Sequence, residues 1–468
     1  MFNKKDNDAL LAGIRQGKTL TNNEMVSLII GLSVPSILAQ VTNVLMFYID
    51  AAMVGKLGAA ASASIGLVES ATWLFGGLCS AVALGFSVQV AHFIGANDFV
   101  KARQVLRHAL ACTLAFSVFV TLCASLVAFK LPVWLRGGED IAHDASLYFL
   151  IYALSVPFLQ LGILSSNMLK SAGNMQIPSV MSVLMCVLDV VFNYLFIYVA
   201  GLGVPGAALG TVLSFAIVAS VEAWFALFRS SILALRLDSE RFVWMWAYVR
   251  NAIKISAPMA AQYVLMSGAQ IVSTYIVAPL GNIAISANTF AITAESLCYM
   301  PGYGIGDAAT TLVGQSMGAG QYGLCRSFAK LTVGMGMAVM ALMGVVMYVF
   351  APEMIGLMTP VEEIRTLGTQ ILRIEAFAEP MFAAAIVGNC ICVGAGDTLK
   401  PSLMNLASMW GVRLTLAAVL AHWYGLQGVW TAMAVELTFR GLIFLARLRW
   451  GNWLKLGENE VRAADATG

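Results

Sequence analysis

Long apolar runs separated by short polar breaks dominate this chain. They fall at about 25–49, 60–94, 105–129, 145–169, 177–199 and 206–228, and again at about 251–279, 284–316, 328–351, 366–394, 401–421 and 426–446. Each is long enough to cross roughly 30 Å of hydrocarbon as a helix, so the pattern predicts twelve membrane helices. The runs beginning near 60 and 284 are overlong, which predicts tilt or breaks. Pro301, Gly302, Gly304 and Gly306 mark a break in the eighth.

The second set of six repeats the first. At an offset of 223 residues, Pro35 meets Pro258, Pro157 meets Pro380, and Pro178 meets Pro401. Chance would give about 0.1 such matches at this proline frequency. Gly58/Gly281, Gly95/Gly318, Gly173/Gly396, Arg103/Arg326 and Ser33/Ser256 keep the same offset. Six helices per repeat leave both halves in one orientation. They are then expected to be related by a pseudo-twofold along the membrane normal, with a cavity between them. The expected organisation is a cytoplasmic segment 1–24, an N-lobe 25–229, a cytoplasmic linker 230–248, a C-lobe 249–450 and a cytoplasmic tail 451–468.

Basic residues set the expected orientation. With the N-terminus inside, Lys101, Arg103, Arg107, Arg229, Arg236, Arg241, Arg250, Lys254, Arg326, Lys330, Arg447, Arg449 and Lys455 are inside. Lys56, Lys130, Arg136, Arg365 and Arg373 are outside. Both ends come out cytoplasmic, as for an inner-membrane protein. The first 24 residues are too polar for a signal peptide.

Composition narrows the function. The 468 residues are 59% hydrophobic and 11% charged, against about 25% charged in soluble domains, which excludes a soluble enzyme. Net charge of +2 gives no reason to expect nucleic acid. The eight cysteines lie in or beside apolar runs without a CxxC pair and read as packing residues. Ala12–Thr19, AGIRQGKT, imitates a phosphate loop, but Ala12 replaces its first glycine and no strand precedes it. There is no HExxH or GxSxG. Paired bundles with little soluble mass suggest a secondary transporter, not an enzyme. No cofactor or structural metal is expected.

A charge at the bilayer centre costs about 2.5–3.5 kcal/mol, so each intramembrane carboxylate needs a reason. Asp50 ends the first helix, and Gln40, Asn43 and Phe47 precede it on one helical stripe. Asp189 sits midway along the fifth helix, with Asn193 one turn on. The repeat places Ser273 and Val412 opposite these acids, so the pair belongs to the first half alone. Two carboxyls in a poorly hydrated pocket can hold a proton and release it when the pocket opens. They can equally bind a sodium ion with Asn oxygens, here Asp50, Asp189 and Asn193. Glu69, with Thr72 and Trp73 on its face, is a further cavity candidate. Glu295 and Asp307, flanking Pro301, are candidates in the second half. Glu375 and Glu379 are expected to be salt-bridged near Arg373, Glu222 and Glu436 to pair with nearby arginines, and Arg413 to pair with an unnamed carboxylate.

The stretches YIDAAMVGKLG (Tyr48–Gly58), GLGVPGAALGT (Gly201–Thr211), PGYGIGDAATTLVGQSMGAG (Pro301–Gly320) and GAGDTLKP (Gly394–Pro401) resemble the multidrug and toxic compound extrusion (MATE) family, over about 25–450. The resemblance implies an all-α protein of twelve helices in two six-helix bundles. It also implies efflux of cationic or amphipathic compounds against proton or sodium entry. Asp50 and Asp189 match the coupling aspartates of a DNA-damage-inducible F-like (DinF-like) branch. Met266 and Phe382 stand where other branches carry C-lobe acids, and Val190 replaces the proline usual after the fifth-helix aspartate. The expected pocket is Asp50 and Asp189 for the ion, with Gln40, Asn43, Phe47, Glu69, Asn193 and Thr211 lining the cavity. Expected partners are organic cations or amphipathic drugs and membrane lipid, with the monomer sufficient. The alternative is a lipid-linked precursor flippase of the same wider superfamily.

Overall fold

In a computed structural model, described for residues 4–135, 138–237 and 242–454, the chain is helical. Among these residues there is no β-strand. Asp238, Glu240 and Arg241 of the expected linker, Arg136, and the tail from Lys455 lie outside the described residues.

The helices are α1 (Lys4–Arg15), α2 (Asn22–Gly55), α3 (Ala59–Gly95), α4 (Phe99–Val127), α5 (Leu131–Trp134), α6 (Glu139–Leu154), α7 (Val156–Ser171), α8 (Gln176–Tyr194) and α9 (Gly203–Trp224). After them come α10 (Trp246–Val277), α11 (Asn282–Gly318), α12 (Tyr322–Gly356), α13 (Glu362–Ala376), α14 (Glu379–Gly394), α15 (Leu399–Ala407) and α16 (Thr415–Trp450). Eight spans among the described residues are long and apolar enough to cross a membrane, and two bent pairs make ten. Leu399–Trp450 counts once there, but Gly425 (φ 58°, ψ −137°) breaks it into two. With α11, 37 residues long, the total is the expected twelve. Large apolar side chains such as Leu126, Tyr275 and Leu342 stay exposed on the helices, as a hydrocarbon solvent requires.

The repeated prolines and glycines have repeated jobs. The α6–α7 pair bends by 47° and the α13–α14 pair by 59°. Pro157 and Pro380 stand in the first turn after each bend, where a missing N–H costs nothing. Gly58 (φ 114°) and Gly281 (φ 99°) open α3 and α11 in a backbone region that side chains avoid. Gly173 (φ 84°) and Gly396 (φ 82°) close α7 and α14 in the left-handed region.

The break expected at Pro301 does not occur: α11 runs unbroken from Asn282 to Gly318. The glycines after it admit neighbouring helices. A Cβ at Gly302 would lie 2.5 Å from Met340 Sδ, at Gly304 2.6 Å from the Ile37 nitrogen, and at Gly306 2.7 Å from Cys390 Sγ. One stretch of α11 thus receives α12, α2 and α14.

Two compact units emerge: Thr42–Ala260, and Met1–Val41 with Ala261–Gly468. In the first, Phe86, Ile94, Leu106, Leu164 and Tyr248 form one apolar core. Met46, Met181, Met185 and Val218 form another. The second unit packs Cys298, Met347, Ile371, Trp430 and Leu437. It also holds the polar N-terminal segment, which folds as α1. Leu11 and Ile14 are buried there, and the Gln321 side chain donates to the Ile14 carbonyl at 2.5 Å. The Thr21 and Glu24 side chains cap one another's backbone N–H, at 2.8 and 3.3 Å, where α2 starts.

Candidate functional site

Asp50, Asp189 and Asn193 meet in the Thr42–Ala260 unit. The four-residue spacing puts Asp189 and Asn193 on one face of α8. Asn193 Nδ2 donates to Asp189 Oδ2 at 3.0 Å and to Asp50 Oδ1 at 3.0 Å. One amide therefore ties the carboxyl of α2 to that of α8. Asp189 is 0% and Asn193 1% exposed. Asp189 Oδ1 and Asn193 Oδ1 have no hydrogen-bond partner among the described residues. Thr211, on α9, lies beside Asp189. Gly210 precedes it and lets Asn193 close on α9: a Cβ there would collide with the Asn193 side chain and backbone.

Two carboxyls, one shared donor and two open oxygens form an acceptor-rich centre with a place for a proton or a small monovalent cation. The carboxylate and amide oxygens are hard ligands, the type that alkali cations take. Among the described residues, no group of three His, Cys, Asp or Glu could hold a metal ion.

Val190 is no proline, and α8 runs through it without a break. Instead α8 passes into a π-helical turn at Leu195–Val199, directly after the Asp189–Asn193 turn. Such insertions re-aim a helix without proline.

The other candidates divide. Phe47 and Glu69 come together through Trp73, whose Nε1 donates to Glu69 Oε1 at 3.3 Å and whose ring centroid lies 5.0 Å from that of Phe47. Both rings are exposed, Phe47 by 47% and Trp73 by 56%. Asn43 lines a cavity inside the same unit. Gln40 belongs to the other unit, where its Nε2 lies 3.4 Å from Asp307 Oδ2. Ser36 Oγ donates to the same oxygen at 2.7 Å. Glu295 is buried elsewhere, among charges that include Arg413.

Among the described residues Arg373 does not pair with Glu375 or Glu379, as the sequence predicts it should. Arg373 stacks on Tyr348 and donates from Nε to its carbonyl at 3.1 Å. Glu375 and Glu379 are both fully buried, and none of their four carboxyl oxygens has a hydrogen-bond partner among the described residues. Glu375 follows Arg373 by two positions and points to another face of α13, a signal available in the spacing. Glu436 does pair with an arginine: Arg440 Nη2 lies 2.6 Å from its Oε1. Ser408 Oγ donates to the same oxygen at 2.5 Å. Arg413 has Glu436, Glu295 and Glu375 as charged neighbours. Asp397 and Arg447 form a further ion pair.

The MatE family model matches residues 35–195 and again residues 258–419. The chain belongs to the MatE family. Both matches start at paired prolines, Pro35 and Pro258, so the MatE repeat and the 223-residue offset coincide. MatE members are transporters and not enzymes, and the chain is an integral membrane protein of that fold. It is similar to a probable multidrug resistance protein NorM of Thermotoga maritima, at 24% identity over 91% of this chain and 93% of that one. An uncharacterized transporter, YisQ of Bacillus subtilis, is 24% identical over 87% and 90%. A solved structure described as the outward-facing conformation of a multidrug resistance MATE family transporter superposes with a TM-score of 0.85. It is 20% identical and covers all of both chains.

Proposed function

We propose that this MatE protein is a secondary antiporter of the bacterial inner membrane that exports cationic or amphipathic organic compounds in exchange for protons or sodium. Coupling runs through Asp50 and Asp189. The observation that carries this reading is the single Asn193 amide shared by the two carboxyls, with open oxygens on Asp189 and Asn193. An arriving proton or sodium ion satisfies those oxygens and draws α2 and α8 together; its departure leaves two carboxylates that repel. The site thereby has two arrangements that the ion biases, which antiport requires. The exposed Phe47–Trp73–Glu69 group supplies aromatic faces and a carboxylate suited to an organic cation. The relatives' multidrug resistance names support the substrate class. The matches of Asp50 and Asp189 support a DinF-like assignment. Both termini lie on the cytoplasmic side by the distribution of Lys and Arg.

The test is transport. Wild type, Asp50→Asn and Asp189→Asn are reconstituted in proteoliposomes, and ethidium uptake is driven by a pH gradient or by a sodium gradient. Each variant is expected to lose at least tenfold in rate with the coupling gradient. Wild-type rates in both variants would remove the coupling role. The gradient that drives the wild type identifies the ion.

A further inference from the structure

The Asp50–Asp189 pair leaves one buried acid of the Thr42–Ala260 unit unexplained. Glu222, on α9, is 5% exposed, and its Oε1 has no hydrogen-bond partner among the described residues. It follows Thr211 by eleven positions, about 16 Å along the helix. Among the described residues no arginine pairs with it. Ser166 and Lys170, successive turns of α7, flank the carboxyl, and neither bonds to Oε1.

Glu222 lines a cavity of about 180 Å³ inside the unit. Most of the lining is apolar: Phe158 from α7, Met181 and Met185 from α8, and Phe215 from α9. Asn43 of α2 is also part of the wall. Met side chains re-pack around varied shapes, and aromatic rings accept a cation against their faces. A buried carboxylate oxygen without a donor is costly unless a donor arrives. A cavity with one such acid in an adaptable apolar wall matches a molecule with one ammonium and a compact hydrophobic body.

We propose that this cavity binds hydrophobic monoamines in protonated form, with the ammonium on the Glu222 carboxyl and the apolar body among Met181, Met185, Phe158 and Phe215. The proposal rests on the export reading in taking the cavity for a substrate site, and it sets Glu222 as the residue that selects for charge. Asp50 and Asp189 remain the ion pair.

Purified protein is titrated by calorimetry at pH 7 with 4-phenylbutylamine and with its neutral isostere, 4-phenylbutan-1-ol. The amine is expected to bind the wild type at least tenfold more tightly. In Glu222→Gln the two should bind equally, with alcohol affinity unchanged, which also shows that the variant is folded. Met185→Trp fills the cavity and should weaken both ligands tenfold or more. Asp189→Asn should keep the amine preference. Equal binding by the wild type, a preference that survives Glu222→Gln, or a preference lost in Asp189→Asn would each overturn the proposal. Ethidium transport by the same preparations separates the two readings. Amine preference without transport sinks export and leaves the amine site standing; transport without amine preference does the reverse.

Discussion

Asn193 is the residue on which the ion site turns. Its Nδ2 serves both acids, so Asn193→Leu removes two hydrogen bonds, one from the buried Asp189 and one from the half-buried Asp50. Such a loss costs about 1–3 kcal/mol, and a lowered Tm in detergent should report it. Ethidium transport should fall at least as far as in Asp189→Asn. Gly210 gives a second test of the same geometry. Gly210→Ala places a methyl against Asn193 and should cut transport severalfold. Thr211→Ser, which keeps the hydroxyl beside Asp189, should transport as wild type. Asp50, Asp189 and Asn193 were legible in the sequence because helical spacing and the cost of burying charge both point at them. Gln40 was not separable from Asp50 that way. Ten residues carry a stripe about 15 Å along a helix, far enough to reach a different neighbour, and only packing shows that Gln40 reaches Asp307. Glu222 was read as an arginine partner because charge counting along a chain does not see which faces meet.

At the scale of elements, the apolar runs gave the spans, and the paired prolines marked where two of them bend. Pro301 shows the limit of that reasoning. The same residue type starts a new helix at Pro157 and Pro380 and is absorbed at Pro301, because α2, α12 and α14 pack closely around the glycines that follow it. The π-helical turn after Asn193 had no sequence signal, since no residue type dictates it. Gly425 is the sharpest backbone requirement among the described spans. Its φ of 58° with ψ of −137° suits glycine alone. Gly425→Ala should cost about 1–3 kcal/mol, read as a lower Tm. Gly66→Ala is the control. Gly66 lies inside α3, and a Cβ there meets nothing within 4 Å. That substitution should be neutral or stabilise by up to about 1 kcal/mol.

For the whole molecule, the repeat and the compact units divide the chain differently, and the difference has a consequence. The two MatE matches are consecutive, 35–195 and 258–419. The compact unit that contains the second match also takes residues Met1–Val41. Ile37 fills the notch at Gly304, Ser36 donates to Asp307, and Ile14 is held by Gln321. These contacts are internal to that unit, yet their two sides come from opposite ends of the sequence. A chain cut between residues 237 and 242 therefore separates a unit from part of its own core. Residues 242–468 expressed alone should be degraded in the membrane, because the α11 groove has lost its occupant and Asp307 its hydroxyl donor. Co-expression with residues 1–237 should restore the fragment to at least half of the full-length level by quantitative immunoblot. Ile37→Asp in the first fragment should abolish that rescue, since a buried charge cannot enter the notch at Gly304. Stable accumulation of 242–468 without its partner would mean that the second repeat folds by itself, and that the first forty residues attach to it afterwards.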